Sequence, residues 1–547
     1  MTVTEIADHL LDRVLDADPL AATLYGVPGR DERLPDLSAE AEDRLRADLA
    51  AIADRAEALA GTVSGQDEIT RKVVVQQARA GVDAIDARLT GHTVTDLFIA
   101  PAAKLLTLLP MVPLADAERR AAYLARLREV PAYLDAAAQR HRDGVGEGLV
   151  PVRRLVDAAV AHLDRFLAGG SPNPLLAADP GDSAFAAERE RVVTDVVRPA
   201  FARYRAALAD EIADAARPDD RPGLCALPGG DAAYAAISRV HTTTDQTPDE
   251  LHRTGLDVIA ALREEYAELG AKVFGTSDQK EIFDRLVSDP GLRWGDADEL
   301  LATARASVRR AEAAAPTMFG RLPATSCAVE TVPEAEAPGA PAAYYVAPSL
   351  DGLRPGVYYA NTDQVERRDR FVSEVTAFHE AVPGHHFQLS IALGLTDLPL
   401  LRRLADVNAY IEGWGLYTER LADEMDLYSD DLSRIGMLAM DSLRAARLVV
   451  DTGLHAKGWS RARAVAYMRE NTPVSEREIT GEVDRYIAFP GQALAYMVGR
   501  LEIQRVRREA TARLGERFDI RAFHDLVLGN GPLPLSVLDD VVREWGP

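Results

Sequence analysis

Residues 379–386 read His379-Glu380-Ala381-Val382-Pro383-Gly384-His385-His386, three of the chain's eleven histidines with a carboxylate directly beside the first. The zinc-peptidase signature H-E-x-x-H sets two histidines one helical turn apart, with a glutamate between them as general base. Here the fourth residue after His379 is Pro383, and the next histidines come six and seven residues on. On an undisturbed α-helix six residues mean a rise of about 9 Å and a rotation of roughly 120°. Two imidazoles so placed cannot share an ion, so the helix must be interrupted. Pro383 supplies the interruption, because it has no N–H to donate and its ring clashes with the preceding turn. Gly384 accepts backbone angles that other residues avoid. A bulge at Pro383-Gly384 is expected to bring His385 round to the missing position, with His386 as the other choice. A helix-compatible run, Ser373 to Phe378, leads in, and the stretch predicts a divalent metal site.

The chain has 547 residues, enough for a large core and for two to four domains on length alone. Ala, Leu, Arg, Asp and Glu dominate, aromatic residues are 6%, and β-branched runs are short. This composition predicts a mainly α protein. A formal charge of −24 argues against nucleic acid or an anionic membrane as partner. The two cysteines, Cys225 and Cys327, lie about a hundred residues apart, which excludes a disulfide framework. No basic segment followed by an apolar run opens the sequence, and no run of about 18 apolar residues occurs. The expectation is a soluble, cytoplasmic protein.

Along the chain, residues 2–17 read as an amphipathic helix and Ser38 caps the next. Helix then continues to about residue 217, with breaks expected at Gly61–Gly65, Pro101, Pro110–Pro113, Pro131 and Gly144–Pro151, and a polar loop at Gly169–Asp182. After a break at Arg217–Gly230, a helix is capped at Thr247 with Pro248 first. The strong strand signals are Ser326–Thr331, Ala343–Pro348 and Gly356–Ala360, directly before the metal helix. Such a small sheet beside a metal site can hold an extended peptide by strand addition, or be a plain hairpin.

A catalytic zinc site takes three protein ligands and keeps one position open. With His379 and His385 as two, Glu412 in Tyr410-Ile411-Glu412-Gly413-Trp414-Gly415 is the candidate third, and Glu419 a partner or the ligand itself. Gly413 and Gly415 would let that helix approach a neighbour closely. On a further helix, 441–457, Arg444, Arg447, Asp451 and His455 form a polar stripe on an apolar background. Arg447 and Asp451 could pair with each other. Alternatively, His455 would stabilise an oxyanion and Arg444 or Arg447 would hold a substrate carboxylate. Tyr486 and Tyr496 are equally eligible as hydroxyl donors near the metal. Tyr486 is assigned here to catalysis and Tyr496 to substrate binding.

Together these segments resemble the bacterial domain-of-unknown-function family 885, whose members share an H-E-x-x-P-G-H-H core. The resemblance covers nearly the whole chain. It runs from Asp18-Pro19 and Leu34–Ser38, through Tyr234, His241–Thr244 and Glu250–His252, then Glu412–Trp414 and Asp451–His455, to Pro490–Leu494 and Phe523–Asp525. The family is similar to helical zinc peptidases such as angiotensin-converting enzyme and neurolysin, and the dipeptidyl peptidase III family likewise lengthens H-E-x-x-H. The resemblance implies a large helical body with a deep channel, zinc on its floor and a small β-sheet next to the metal helix. Residues 1–230 would form an N-terminal helical region and 231–547 the metal-site region, in one continuous family domain. One departure is Met497 after Tyr496, where the family is expected to carry lysine. The expected function is a zinc hydrolase with one Zn²⁺ per chain, cleaving short peptides or amino-acid conjugates, with Glu380 as base. Metal-dependent acyl transfer or C–N bond cleavage, and a non-catalytic binding protein, are the alternatives.

Overall fold

The computed structural model describes residues 1–169, 173–178, 181–334, 337 and 340–546. The described residues are mainly helical, at 69% helix, and hold one small three-stranded sheet, as the composition predicts. No helix among the described residues is long and apolar enough to cross a membrane.

The N-terminal helices Val3–Ala17, Ala39–Glu57 and Gln66–Asp86 bury Ile6, Leu10, Leu49, Ile52 and Val74 against one another. A second core, from Leu20 to Ala213, forms around the long helix Ala117–Gly146. The break expected at Pro131 does not occur, since that helix runs through it. The cost of an interior proline, about 3 kcal/mol, is offset by the buried face carrying Tyr123, Leu127, Val130, Leu134 and Ala137. Of the loop expected at 169–182, residues 170–172 and 179–180 lie outside the described residues, and Pro174–Leu176 forms a single 3₁₀ turn.

The larger core holds the site. It draws in Val73 and Leu155 from helices nearer the N-terminus, and its helices include α1 (Gly230–Thr242) and α2 (Pro248–Val273). The Thr247 hydroxyl accepts from the Glu250 N–H, and the Glu250 carboxylate accepts from the Thr247 N–H, closing the start of α2. Strands β1 (Ala328–Thr331), β2 (Ala343–Val346) and β3 (Val357–Ala360) follow, in the order β1-β3-β2. β1 runs parallel to β3 with Ala328 opposite Val357, while β2 is antiparallel with Tyr345 opposite Tyr358. The sheet is therefore more than the plain hairpin that was the other reading. Next come α3 (Ser373–Glu380), α4 (His385–Gly394), α5 (Asn408–Glu424), α6 (Asp431–His455), α7 (Glu476–Ala488) and α8 (Ala495–Leu514). α6 is buried along almost its whole length and is the axis on which α2, α3, α7 and α8 pack.

Candidate metal centre

The interruption in the metal helix is complete. α3 ends at Glu380 and α4 starts at His385, with a turn between them that includes a cis Val382–Pro383 peptide. A neighbouring helix holds that turn. On α5, the Trp414 indole N–H donates to the Pro383 carbonyl at 2.9 Å, and the Thr418 hydroxyl donates to the Phe378 carbonyl at 3.3 Å. Two glycines of α5 have different tasks. A Cβ on Gly413 would lie 2.5 Å from the backbone of Gly499, so it permits the crossing with α8. A Cβ on Gly415 would lie 2.6–2.9 Å from the His379 ring, so it leaves room for the imidazole.

With the turn so held, His379, His385 and Glu412 converge, each offering one ligand atom within 4.8 Å of the others. Glu412 Oε2 lies 3.7 Å from His379 Nε2 and 3.4 Å from His385 Nε2. Ligands at about 2.0–2.1 Å from a tetrahedral zinc stand roughly 3.3 Å apart, so the cluster fits such an ion with little adjustment. The orientation also fits. Glu419, fully buried, accepts from His379 Nδ1 at 2.8 Å, which leaves Nε2 free to ligate. Burial alone would lower the pKa of His379, but Glu412 and Glu419 outweigh it and raise it to about 9. The same two imidazoles hold the Glu412 carboxyl well below its usual range, against burial. The cluster thus favours a positive charge at its centre.

The histidine pair divides cleanly. His385 enters the cluster, and its buried Nδ1 has no partner. His386 turns to the sheet, where its Nε2 donates to the Thr325 carbonyl at 2.9 Å and its Nδ1 accepts from the Tyr345 hydroxyl at 3.0 Å. Glu380 is half-buried and makes no hydrogen bond or ion pair with the described residues. Its carboxylate acts electrostatically on His379, Tyr358 and Cys327, so it stands at the edge of the cluster without being one of its converging ligands.

The polar stripe of α6 is distributed differently from the expectation. Arg447 is committed to Glu482 of α7, through Nε at 3.1 Å and Nη2 at 2.8 Å, and not to Asp451. Its guanidinium also lies 4.5 Å from the centre of the Tyr496 ring. The Tyr496 ring in turn stacks on His379 at 6.5 Å, with 18° between the planes. Tyr486, assigned to catalysis on sequence, instead donates its hydroxyl to Glu482 and accepts from Arg447 Nε. Tyr496 is the half-buried one, with Glu412 within electrostatic reach. The Arg444 guanidinium also lies 5.8 Å from the centre of the Tyr496 ring.

His455 is not at the metal cluster. Its Nδ1 accepts from the Leu224 N–H at 3.1 Å and its Nε2 donates to the Tyr486 carbonyl at 2.9 Å. With both nitrogens used and the ring fully buried, no donor is left for an oxyanion. Asp451 joins this second network, accepting from the Tyr234 hydroxyl at 2.6 Å and from the Gly491 N–H at 3.1 Å. Burial raises its carboxyl to about 7, against those hydrogen bonds. Both residues pin the segment that carries Tyr486 and Tyr496. Asp451→Ala, which orphans a buried hydroxyl and a buried N–H, should cost about 2–5 kcal/mol in urea unfolding. His455→Ala should also lower stability, while metal content stays unchanged in both. Loss of zinc at unchanged stability would contradict this placement.

One residue of the site escaped the sequence reading. Glu482 stands four residues before Tyr486 and three before Arg485, a helical spacing that could have signalled the contact.

Among known proteins, the family model described as "Bacterial protein of unknown function (DUF885)" matches residues 19–542. No curated protein matches the chain. A crystal structure described as "the putative lipoprotein from Colwellia psychrerythraea" is 26% identical with a TM-score of 0.91, and the match covers 100% of this chain and 99% of that one. "A putative lipoprotein of unknown function from Shewanella oneidensis" is 18% identical with a TM-score of 0.75, over 100% of both chains. Both neighbours are described as lipoproteins, which overturns the cytoplasmic location expected from the sequence.

Proposed function

Because the chain belongs to the DUF885 family of bacterial proteins, whose description names no activity, we propose from the site itself that it is a zinc-dependent hydrolase of short peptides or amino-acid conjugates. The observation that carries this reading is the convergence of His379, His385 and Glu412, with Glu419 orienting His379 and an unpaired Glu380 alongside. His379, His385 and Glu412 would hold one zinc ion. Zinc in such a site polarises a carbonyl and lowers the pKa of water towards 7.

The protein's own groups supply the rest. Glu380 takes the proton of the attacking water and returns it to the leaving amine. The Tyr496 hydroxyl donates to the carbonyl oxygen as that oxygen gathers charge. Arg447, held by Glu482 and lying on the Tyr496 ring, keeps that ring in place and opposes the rise that burial and Glu412 impose on its pKa. β2 is an edge strand of the sheet, and its residues 343 and 345 direct backbone groups away from β3, since Asn361 N–H bonds Ala342. That edge suits an extended peptide.

Metal analysis tests the premise. The native chain should hold about one zinc, His379→Ala and His385→Ala should lose it, and His386→Ala should keep it. Metal retained by His385→Ala but lost by His386→Ala would refute the assignment. A library of di- and tripeptides then tests the hydrolysis.

A further inference from the structure

The segment between α7 and α8, Pro490-Gly491-Gln492-Ala493-Leu494, carries one polar side chain, that of Gln492. Its backbone is fixed first. Gly491 lies in the left-handed region at φ +79°, and its N–H donates to Asp451 at 3.1 Å. A 3₁₀ turn, Gln492–Leu494, then runs directly into α8. Gln492 and Tyr496 are thus one helical turn apart on a common face. Helical side chains lean towards the N-terminus, so the Tyr496 ring lies over the turn that carries Gln492.

Gln492 is buried, and each end of its amide has a set direction. Its Oε1 accepts from Arg485 Nη1 of α7 at 3.0 Å. A guanidinium has no acceptor, so the amide oxygen and not the nitrogen must face it. Arg485 is held in turn by Glu482, at 3.4 Å. Nε2 therefore points the other way. One of its hydrogens is directed at Asn408 Oδ1, 3.4 Å away on the first residue of α5. The second serves Tyr496. Burial, then Glu412, raises the Tyr496 phenol, while Arg447, Arg485 and a hydrogen bond from the Gln492 side chain oppose the rise.

A phenolic oxygen that accepts from an amide N–H still owns one proton to donate. Gln492 cannot take that proton, because the acceptor end of its amide is turned to Arg485. We propose that Gln492 is the positioning residue of the Tyr496 hydroxyl: its amide, oriented by Arg485, donates to the phenolic oxygen and leaves the phenolic proton for a carbonyl oxygen at the metal centre. The use of that proton rests on the hydrolase reading above, but the contact between amide and phenol does not. Glutamate in the same place would act in the opposite sense. Arg485 would keep it ionised, and its second oxygen would capture the phenolic proton.

Steady-state kinetics on a cleaved peptide test this. Gln492→Ala removes the donor and should lower kcat about 10-fold, the effect of one hydrogen bond, with KM nearly unchanged. Gln492→Glu reverses the polarity and should lower kcat further, towards the loss of about 10²–10³ that goes with the hydroxyl itself. Packing alone predicts the reverse order, because glutamate keeps the shape and the bond to Arg485 while alanine keeps neither. In a Tyr496→Phe background neither substitution should lower kcat again, since the hydroxyl through which they act is gone. Additive losses, or a larger kcat loss in Gln492→Ala than in Gln492→Glu, would overturn the proposal. A second measurement needs no turnover. In the full chain labelled with ¹³C at tyrosine Cζ, the signal that disappears in Tyr496→Phe identifies Tyr496, and it should move in Gln492→Ala. An unmoved signal would also overturn the proposal. A signal that moves in a protein without peptide turnover would sink the hydrolase reading and leave the contact standing.

Discussion

Glu380→Gln should bind as much zinc as the native chain and lose about 10²–10⁴ in kcat, with KM nearly unchanged. The residue closes α3 beside His379 but is not one of the three converging ligands. It is half-buried, carries no hydrogen bond or ion pair, and so is free to move a proton. Glutamine keeps its shape and removes its basicity, which separates a base from a ligand. The check is metal analysis on the same preparations used for turnover of a cleaved peptide. A fully active variant would place the base elsewhere and end the proposed mechanism. A variant without metal would make Glu380 a ligand.

Tyr496→Phe should lower kcat by about 10²–10³, while Tyr486→Phe should act mainly on stability. The two tyrosines looked equivalent in sequence, and their surroundings separate them. Tyr486 is fully buried, and its hydroxyl is consumed by Glu482 and Arg447. Removing that hydroxyl strips Glu482 of one donor in an ion-pair network, which is a folding penalty. Tyr496 stacks on His379 and is half-buried at the cluster, with Glu412 in reach. A hydroxyl that strengthens its bond only as charge develops affects kcat and not KM. Steady-state kinetics and urea melts on the pair would show it. The opposite ranking would return the hydroxyl role to Tyr486.

Much of this architecture could be read from local chemistry. Pro383 and Gly384 forbid a continuous helix whatever surrounds them, and the strand signals of 326–360 contrast with the alanine-rich helices around them. Glu412 could be singled out because aromatic residues and glycines flank it. Whether His385 or His386 joins the cluster was not legible, because that depends on how Trp414 and Thr418 of another helix hold the turn. The stripe on α6 was visible, but its partners were not. Arg447 had a plausible mate four residues away in Asp451, yet the structure gives it Glu482, and Asp451 goes to Tyr234. His455 shows the same limit. A histidine on a buried polar stripe can serve chemistry or cap two backbone groups, and only the positions of Leu224 and Tyr486 decide. Pro131 shows the converse, a strong local signal overruled by the face its helix buries.

The turn at Pro383-Gly384 would also make the affinity of the three-residue cluster for an ion a collective property of the fold. In an uninterrupted helix, two histidines are spaced by the helix itself, so a short excised segment would retain their geometry. Here His379 and His385 sit on separate helices, and Glu412 sits on the very helix whose Trp414 and Thr418 hold the turn between them. Any loosening of α5 removes one ligand and misplaces the other two in the same event. Binding to the folded state alone, an ion at 100 times its dissociation constant adds about 2.7 kcal/mol to stability. An ion held by these three residues would share that gain among α3, α4 and α5 at once, and a chelator that took it would act on the cohesion of the whole core.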